Sequence, residues 1–487
     1  MTEPCDLTAR EARRLIGARA LSPVELFESC AARTDAVNPV LNAVVAEDRA
    51  AGRASARAAE AQVMAGAALG RLHGLPVALK DNRATAGART THGCLVHAED
   101  PPAAADEPMI ARLRAEGALL HARTNLPEYG AGANTRNRLF GATGNPFDPA
   151  RTPAGSSGGS AAALAVGMAP LATGSDYGGS LRTPAAFCGV AGFRPSPGVV
   201  PLTAAASLLS PWGVNGPMAR DVPDLSLLLG AQAFHDVRDP WSRPGNPGDA
   251  LPALDAANLR VAVSPDLGCC PIDGVIAETF AARMALLEPH VGRLEAAAPM
   301  LIDPLEAVHD VFEITRAVSF AAGLKPLVDR HRDLLDTNVV DNVDRGAGYT
   351  LYDCAWAERM QAAMYRSFTA FFEDHDVLLM PAASVAPFPH SQLYPETVGG
   401  AAMPTYMRWL ALSYVPTLCF ACAAAIPCGR DPAGLPFGIQ VVGPMGADAR
   451  VLAAAAALEA VFAGYGESAR PLPDIAVLTA DPVDGAA

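Results

Sequence analysis

The chain alternates short apolar runs with longer amphipathic segments, the pattern typical of an α/β fold. The apolar runs predict buried strands at residues 74–82, 118–120, 259–263, 376–381 and 437–442. Between these runs the sequence predicts helices at residues 45–67, where it is rich in alanine, arginine and glutamate, and at residues 106–115, 222–229, 275–287 and 448–462. Residues 302–408 are predicted to be mostly helical. No spacing recurs along the chain, so the sequence does not indicate a repeat fold.

The N-terminal part begins with two helix-start signals. Thr8 and Ser22 are each followed at capping-box spacing by a glutamate, Glu11 and Glu25. Pro23 occupies the first helical position after Ser22, where proline is favoured. We predict two packing helices here and assign them no chemistry.

Residues 409–429 contain no charged side chain, and the run is long enough to cross a bilayer. It also contains Pro416, Pro427 and several polar side chains, and no second such run accompanies it. We therefore predict a buried strand-and-turn region here and no membrane contact.

Residues 145–201 contain two serine–glycine clusters, at 156–160 and 178–180, on either side of an uncharged alanine-rich segment. Glycines let backbone N–H groups approach a ligand closely, and such a turn can present a hydroxyl nucleophile beside several N–H donors. A flexible linker is the alternative. A linker would not contain Leu164 and Phe187 among its glycines, so the pattern favours a buried functional loop system.

Lys80 ends the apolar run at residues 74–82. Strand alternation places Val77 and Leu79 on one face of the strand and Ala78 and Lys80 on the other. Lys80 therefore stands beside a small residue, where other elements could cover it. The alternative is a lysine in solvent at the end of a strand, which is the commoner fate of this residue type.

Composition excludes some classes of partner. The chain has 487 residues, 50% of them hydrophobic, and a formal net charge of −14. This is an ordinary globular composition, and the acidic balance argues against a nucleic-acid or anionic-membrane partner because both need a basic face.

The cysteines indicate a reducing compartment. The ten cysteines follow no framework spacing, and the chain starts without an apolar signal-peptide core, so we expect a cytoplasmic protein with reduced thiols. Cys419 and Cys422 have CxxC spacing but lack a second pair or nearby histidines, which favours buried thiols over a metal site.

Four separated motifs carry a family resemblance: GLPVALKDN, TPAGSSGGSAAA, GSDYGGSLRTPAAFCGVAGFRPS and GLPFGIQVVGP. Their combination, in this order, resembles the amidase signature family over nearly the whole chain. The resemblance implies a single α/β domain over 1–487 with a mixed central β-sheet between helical layers. It also implies N-terminal helices at about 1–70, a signature core at about 71–205, a variable substrate-pocket region at about 206–410, and closing strands and a helix at about 411–470.

The resemblance implies a Ser–cis-Ser–Lys triad without metal or cofactor. Ser180 matches the nucleophile, Ser156 the bridging serine that follows a cis peptide bond, and Lys80 the base. The oxyanion is expected to meet backbone N–H groups of the nucleophile segment, Tyr177, Gly178, Gly179 and Ser180. The residues expected to support the site are Ser157, Asp176 and Arg182.

The substrate pocket is less clearly marked. Tyr177 stands where smaller residues are common in the family, which bears on the size of the acyl pocket. Further candidate lining residues are Tyr129, Gly130, Ala131, Phe312, Trp409 and Phe420. Aromatic and apolar linings favour an aryl or medium-chain acyl substrate.

The predicted function is hydrolysis of a carboxylic amide to an acid and an amine or ammonia, by a monomer or homodimer acting on a small molecule. Carbamate or ester cleavage by the same triad and an amidotransferase-type subunit working in a complex are alternatives. Residues 155–159 also fit the G-x-S-x-G pattern of α/β-hydrolases, with His309 or His331 as candidate bases. Residues 149–154 include two prolines and predict no strand before that serine, which disfavours this alternative.

Overall fold

A mixed sheet runs through the part of the chain that the computed structural model describes, residues 3–204, 208–249 and 251–479. In that part, eleven strands pair in the order β1-β3-β2-β6-β8-β7-β14-β15-β11-β9-β10, and two short hairpins, β4-β5 and β12-β13, lie outside the sheet. The strands are β1 (Val44–Glu47), β2 (Val77–Lys80), β3 (Ala122–Thr124), β4 (Arg136–Asn137), β5 (Gly141–Ala142), β6 (Leu171–Asp176), β7 (Ala191–Arg194), β8 (Val214–Ala219), β9 (Arg260–Val263), β10 (Arg293–Ala296), β11 (Val377–Pro381), β12 (Thr397–Val398), β13 (Ala401–Ala402), β14 (Cys422–Arg430) and β15 (Pro436–Gly443).

The helices cover both faces of this sheet. They are α1 (Ala9–Gly17), α2 (Pro23–Leu41), α3 (Arg49–Met64), α4 (Pro108–Ala115), α5 (Gly158–Ala165), α6 (Arg182–Cys188), α7 (Val222–Gln232), α8 (Gly274–Leu287), α9 (Ala307–His331), α10 (Thr337–Gly348), α11 (Leu351–Phe371), α12 (Ala411–Leu418), α13 (Asp448–Ala463) and α14 (Ile475–Thr479). Strand β2 pairs in parallel with β3 and β6, whereas β6–β8 and β14–β15 are antiparallel. The predicted α/β fold with a mixed sheet between helical layers is confirmed.

The two faces of β2 differ in the way that the alternation predicts. Val77 and Leu79 belong to a large apolar core that also contains residues of α1, α2, α4, α7, α8 and α13. Ala78 belongs to a smaller cluster with α5 and α6. Lys80 follows the direction of Ala78, so its side chain emerges on the α5–α6 side of the sheet.

Three local predictions were wrong in detail. The helix predicted from residue 45 begins at Arg49, because Val44–Glu47 joins the sheet and the Asp48 side chain caps α3 by accepting from the Ala51 N–H. The strand predicted at 118–120 lies at Ala122–Thr124, and Leu119 forms only an isolated bridge. In the region predicted as a buried strand and turn at 409–429, strand β14 is present from Cys422 onward, but residues 411–418 form helix α12.

The ends of the two N-terminal helices are as predicted. Thr8 accepts from the Glu11 N–H, and Ser22 and Glu25 form a capping box at the start of α2. No helix in the described part of the chain is both long and apolar enough to cross a membrane. The boundary predicted between residues 205 and 206 lies outside the described residues.

Candidate active site

Lys80 ends strand β2 with its side chain among serine hydroxyls. Its Nζ atom lies 2.7 Å from Ser156 Oγ, 3.0 Å from Ser157 Oγ and 3.0 Å from Ser175 Oγ. The residue is 1% exposed. Within residues 3–204, 208–249 and 251–479, no carboxylate lies within 4.0 Å of Nζ. The amine is thus held by neutral partners.

This setting lowers the pKa of Lys80 to about 7. Burial is the main cause, since it disfavours the charged ammonium. The positive charge of Arg83 lowers the pKa further, whereas the negative charge of Asp176 acts in the opposite direction. A large fraction of the amine is therefore neutral at physiological pH and can accept a proton.

The first serine–glycine cluster presents Ser156 and Ser157 just before α5. The peptide bond between Gly155 and Ser156 is cis, as the family resemblance implies. Helix α5 is buried along its whole length, so it fixes the start of the cluster against the sheet. A Cβ at Gly159 would lie 2.4 Å from the Asn125 backbone nitrogen, so no larger residue fits there without displacing the neighbouring loop.

The second cluster lies in the loop from β6 to α6 and contains Ser180. The Ser180 carbonyl accepts a hydrogen bond from the Ser157 N–H at 3.2 Å, which ties the two clusters together through the backbone. Gly179 has a φ of 115°. A Cβ there would lie 2.5 Å from the Ser413 Cβ on α12, so the turn needs glycine for both conformation and space.

Asp176 holds this loop in shape. Its carboxylate accepts from the Gly179 N–H at 2.9 Å and the Leu181 N–H at 3.1 Å. It also pairs with Arg182 at 3.0 Å and with Arg194 at 3.3 Å, and all three charged side chains are fully buried. Burial opposes ionisation of the carboxyl, but the two guanidinium groups outweigh it and hold the pKa of Asp176 well below its usual range.

The N–H groups of the nucleophile segment divide into two kinds. The Gly179 N–H already donates to Asp176, so the prediction of Gly179 as an oxyanion donor does not fit this arrangement. The N–H groups of Tyr177, Gly178 and Ser180 have no hydrogen-bond partner within the described part of the chain. These three N–H groups are therefore not used by the described part of the protein.

A cavity of about 320 Å³ opens over these groups. Ser156, Ser175 and Ser180 line it, so the predicted nucleophile and relay face one space. Ser180 is only partly buried, as a residue that must reach a substrate should be. Larger cavities, of about 560 and 700 Å³, lie elsewhere on the chain, but neither contains a residue of the triad.

The predicted pocket residues fall into two groups. Tyr129 and Gly130 line the cavity, and a Cβ at Gly130 would lie 3.2 Å from Ser156 Oγ. Phe420 lines an adjacent apolar cavity of about 650 Å³, where its ring stacks on Trp212 with centroids 5.3 Å apart. Tyr177 also lines the cavity of about 320 Å³, which is called the reaction cavity below.

Three other predicted lining residues lie behind the walls. Phe312 stacks on Tyr414 at 4.0 Å and would touch a Cβ at Gly178 at 3.1 Å, so it supports the nucleophile segment from below. Trp409 packs with aromatic residues in a separate core cluster, and Ala131 packs against α9 and α10. Each apolar side chain was predicted at the cavity because sequence does not distinguish a buried wall from the layer behind it.

The site also contains residues that the motifs did not single out. Ser175 contacts Lys80 directly, and the Asn82 amide donates to Ser175 Oγ at 3.1 Å. Arg194 is the second cation on Asp176. A usable signal existed for one of them: Arg194 is a charge at the end of an otherwise uncharged buried strand.

Replacing Asp176 with asparagine is expected to lower the free energy of unfolding by about 3–5 kcal/mol, because it leaves two buried arginines without an anion. Chemical denaturation at neutral pH measures this change. Asp329→Asn is the matched control, since Asp329 pairs with Lys325 on the surface and should change stability by less than about 1 kcal/mol. A loss below about 1 kcal/mol for Asp176→Asn would contradict the role given to the carboxylate.

Comparison with known proteins gives consistent matches. A sequence model described as Amidase matches residues 25–452. An acylamidase from Rhodococcus erythropolis is 34% identical over 458 residues, covering 93% of this chain and 95% of that protein. A glutamyl-tRNA(Gln) amidotransferase subunit from Acidothermus cellulolyticus is 33% identical over 494 residues, covering 93% of this chain and 94% of that protein.

Solved structures agree with the sequence matches. A bacterial aryl acylamidase of the amidase signature family superposes with a TM-score of 0.88 at 26% identity. The superposition covers 98% of this chain and 99% of that structure. The similarity therefore extends across the sheet, the helical layers and the loops of the site.

Proposed function

The chain belongs to the amidase family and hydrolyses C–N amide bonds, and from this premise we propose that Ser180 is the nucleophile, Ser156 the proton relay and Lys80 the base. One observation carries the proposal: a buried lysine with a pKa of about 7 lies 2.7 Å from the Oγ atom of Ser156, and Ser156 lines the same cavity as Ser180. A serine hydroxyl is a poor nucleophile at neutral pH and needs a base within reach.

The first half-reaction transfers the acyl group to the enzyme. The Ser180 oxygen attacks the amide carbon while its proton passes to Ser156 Oγ, and Ser156 passes its own proton to Lys80 Nζ. The tetrahedral intermediate then collapses as the proton returns from Lys80 through Ser156 to the leaving nitrogen. The C–N bond breaks, the amine departs and an ester remains on Ser180.

The second half-reaction returns the enzyme to its starting state. Water attacks the ester by the same proton route and releases the acid. In both halves the negative oxygen is stabilised by the free N–H groups of Tyr177, Gly178 and Ser180, and removal of one such donor typically costs about a hundredfold or more in rate. The Asp176 carboxylate acts by positioning, because it orders the loop that carries these donors.

The preferred substrates are amides with an aryl or medium-chain acyl portion. The apolar cavity beside the reaction cavity supports this choice, since Trp212, Trp241, Tyr365 and Phe420 line it. The two cavities share wall residues, among them Pro211 and Trp241, so a long substrate can extend from one toward the other. Carbamates and esters fit the same route because the machinery acts on the carbonyl.

The chain is also proposed to work alone, as a cytoplasmic monomer or homodimer. All ten of its cysteines lie in the described part of the chain and are free thiols, as suits a reducing compartment. The similar amidotransferase subunits keep open a role as a subunit that needs a partner.

A panel of primary amides, anilides, carbamates and esters, offered to the purified chain, tests the proposal. We expect anilides and medium-chain amides to be turned over fastest, with the Ser180→Ala protein as the blank. Gel filtration of the same sample gives the oligomeric state. No turnover of any member by a folded wild-type chain would contradict the proposal and favour the partner-dependent alternative.

A further inference from the structure

Arg316 lies on α9 with its side chain at the reaction cavity. It lines the cavity together with Ser319 and Phe320, which lie three and four positions further along the same helix. The residue is only 5% exposed. Its guanidinium carbon lies 5.1 Å from the centre of the Tyr177 ring, so it packs directly on a side chain of the nucleophile segment.

The guanidinium is bound on its faces and on one edge only. Besides Tyr177, the ring of Phe320 lies at 4.6 Å from its carbon. Nε and Nη2 donate to the Tyr406 hydroxyl at 3.3 and 3.1 Å. A guanidinium has five N–H donors, so Nη1 and the second hydrogen of Nη2 remain. Within residues 3–204, 208–249 and 251–479, Nη1 has no hydrogen-bond partner and no carboxylate lies within 4.0 Å of the group.

Other arginines close to Arg316 have acidic partners, whereas Arg316 has none among the described residues. Arg408 pairs with Glu313 at 2.8 Å and with Asp310 at 3.3 Å, and Arg345 pairs with Asp341 at 2.9 Å. Glu313 and Asp310 lie on the same helix as Arg316 and serve other cations. A buried cation without a counter-ion is unfavourable, and the ligand of a binding site is the usual reason for keeping one.

The other charged groups of the cavity have partners of opposite charge or backbone N–H partners. Both carboxylate oxygens of Asp239 accept backbone N–H groups, from Trp241 and Leu202 at 2.9 Å each. Arg83 is held more loosely: it lies 3.7 Å from Glu107, and its buried Nε has no hydrogen-bond partner among the described residues, but it does have an acidic neighbour. Arg316 is therefore the cation of this cavity, within the described residues, that has both a free edge and no acidic partner.

We propose that Arg316 binds a carboxylate of the substrate through this free edge, so that the preferred amides carry an anionic group on the acyl or the amine portion. The inference rests on the proposed function, because it assigns a ligand to the same cavity. A planar carboxylate accepts two parallel N–H bonds from a guanidinium edge, and charge-assisted bonds of this kind are strong when they are buried. The aromatic faces hold the guanidinium in the orientation that such binding needs.

Matched substrate pairs test the proposal. The acyl arm compares the monoanilide of a dicarboxylic acid with the anilide that has a methyl group in place of the carboxylate. The amine arm compares an N-acyl aminobenzoate with the corresponding N-acyl toluidine. We expect wild type to prefer the anionic member of one arm by at least about tenfold in kcat/KM. Arg316→Met should abolish that preference, because kcat/KM falls by about tenfold or more for the anionic member and stays nearly unchanged for the neutral member.

Further variants separate binding from folding. Arg316→Lys keeps the charge but loses the fork, and should retain part of the preference. Arg408→Met removes an ion-paired arginine near the same helix and should leave the preference of wild type unchanged. Equal losses on both members of a pair in Arg316→Met, or no preference in wild type, would overturn the inference and leave the amidase proposal intact.

Binding measurements on an inactive enzyme test the carboxylate site independently of the proposed hydrolysis. Calorimetry on the Ser180→Ala protein should show the anionic member binding more tightly than the neutral one, and the added Arg316→Met change should remove the difference. If wild type hydrolyses neither member but this binding difference is found, the proposed function fails and the carboxylate site stands. If the binding difference is absent, the carboxylate site fails.

Discussion

Replacing Ser180 with alanine is expected to lower kcat by at least about four orders of magnitude, because the oxygen that forms the acyl-enzyme is lost. The fold should survive the change. The contact that Ser180 makes to the first cluster is through its carbonyl, which accepts from the Ser157 N–H at 3.2 Å, and alanine keeps that carbonyl. Initial rates on the best substrate of the panel measure the loss, and thermal unfolding reports that the variant is folded.

The control for Ser180→Ala is a buried serine away from the cavity. Ser226 on α7 donates to the Gly248 carbonyl, and Ser226→Ala should leave kcat within about threefold of wild type. Intact-mass measurement with a slowly deacylating ester adds a second readout, since the wild-type chain should gain the acyl mass and Ser180→Ala should not. An acyl adduct of equal yield on Ser180→Ala would place the nucleophile at another residue.

The elements that the sequence predicts well are those with a clear period. Strand β2 could be predicted with its two faces, because Val77, Leu79 and Ala78 alternate between a large apolar cluster and a small one. Helix α12 could not, because residues 411–418 are uncharged and buried, contain Pro416 and have only Ser413 and Thr417 as a small polar pair at helical spacing. A uniformly buried segment has no amphipathic pattern, whichever structure it adopts.

The candidate site could likewise be predicted only in part. The motifs led to the proposed triad because Ser156 and Ser180 lie in distinctive glycine-rich loops, and the structure brings Lys80 to 2.7 Å from the Oγ atom of Ser156. The pairing of Arg194 with Asp176 and the position of Arg316 beside Tyr177 could not be predicted. Both contacts join segments that meet only in the folded protein, and an isolated arginine in a sequence indicates nothing about its partner.

The hydrogen bond from the Gly179 N–H to the Asp176 carboxylate also could not be predicted from the sequence. The motif marks the whole segment as a source of oxyanion donors, but the Asp176 carboxylate needs backbone donors to hold the loop. Only the folded geometry tells which N–H groups are left for the substrate. The same carboxylate makes the turn rigid, so one donor is used to fix the positions of the others.

Replacing Lys80 is expected to abolish turnover. Two different replacements test whether the enzyme needs a neutral amine or only a positive charge at this position. Lys80→Met removes the base, whereas Lys80→Arg keeps a cation that cannot release its proton at any working pH. If the neutral amine is what matters, both variants lose at least about a thousandfold in kcat/KM. An arginine variant that kept near-wild-type rates would show that positive charge alone is sufficient, and the assignment of Lys80 as base would be wrong.

The pH dependence of kcat/KM in the wild-type protein tests the same requirement for a neutral Lys80 amine. Burial and the nearby Arg83 lower the pKa of Lys80 to about 7, so the ammonium form predominates below that pH and the neutral amine above it. Because the base must be neutral to accept a proton, kcat/KM should rise with pH through about 7 and then level off. Arg83→Met removes a positive charge that disfavours the ammonium, so it should move the midpoint upward. His309→Asn and His331→Asn should leave the midpoint unchanged, and loss of the pH transition in either histidine variant would instead assign the base to that histidine.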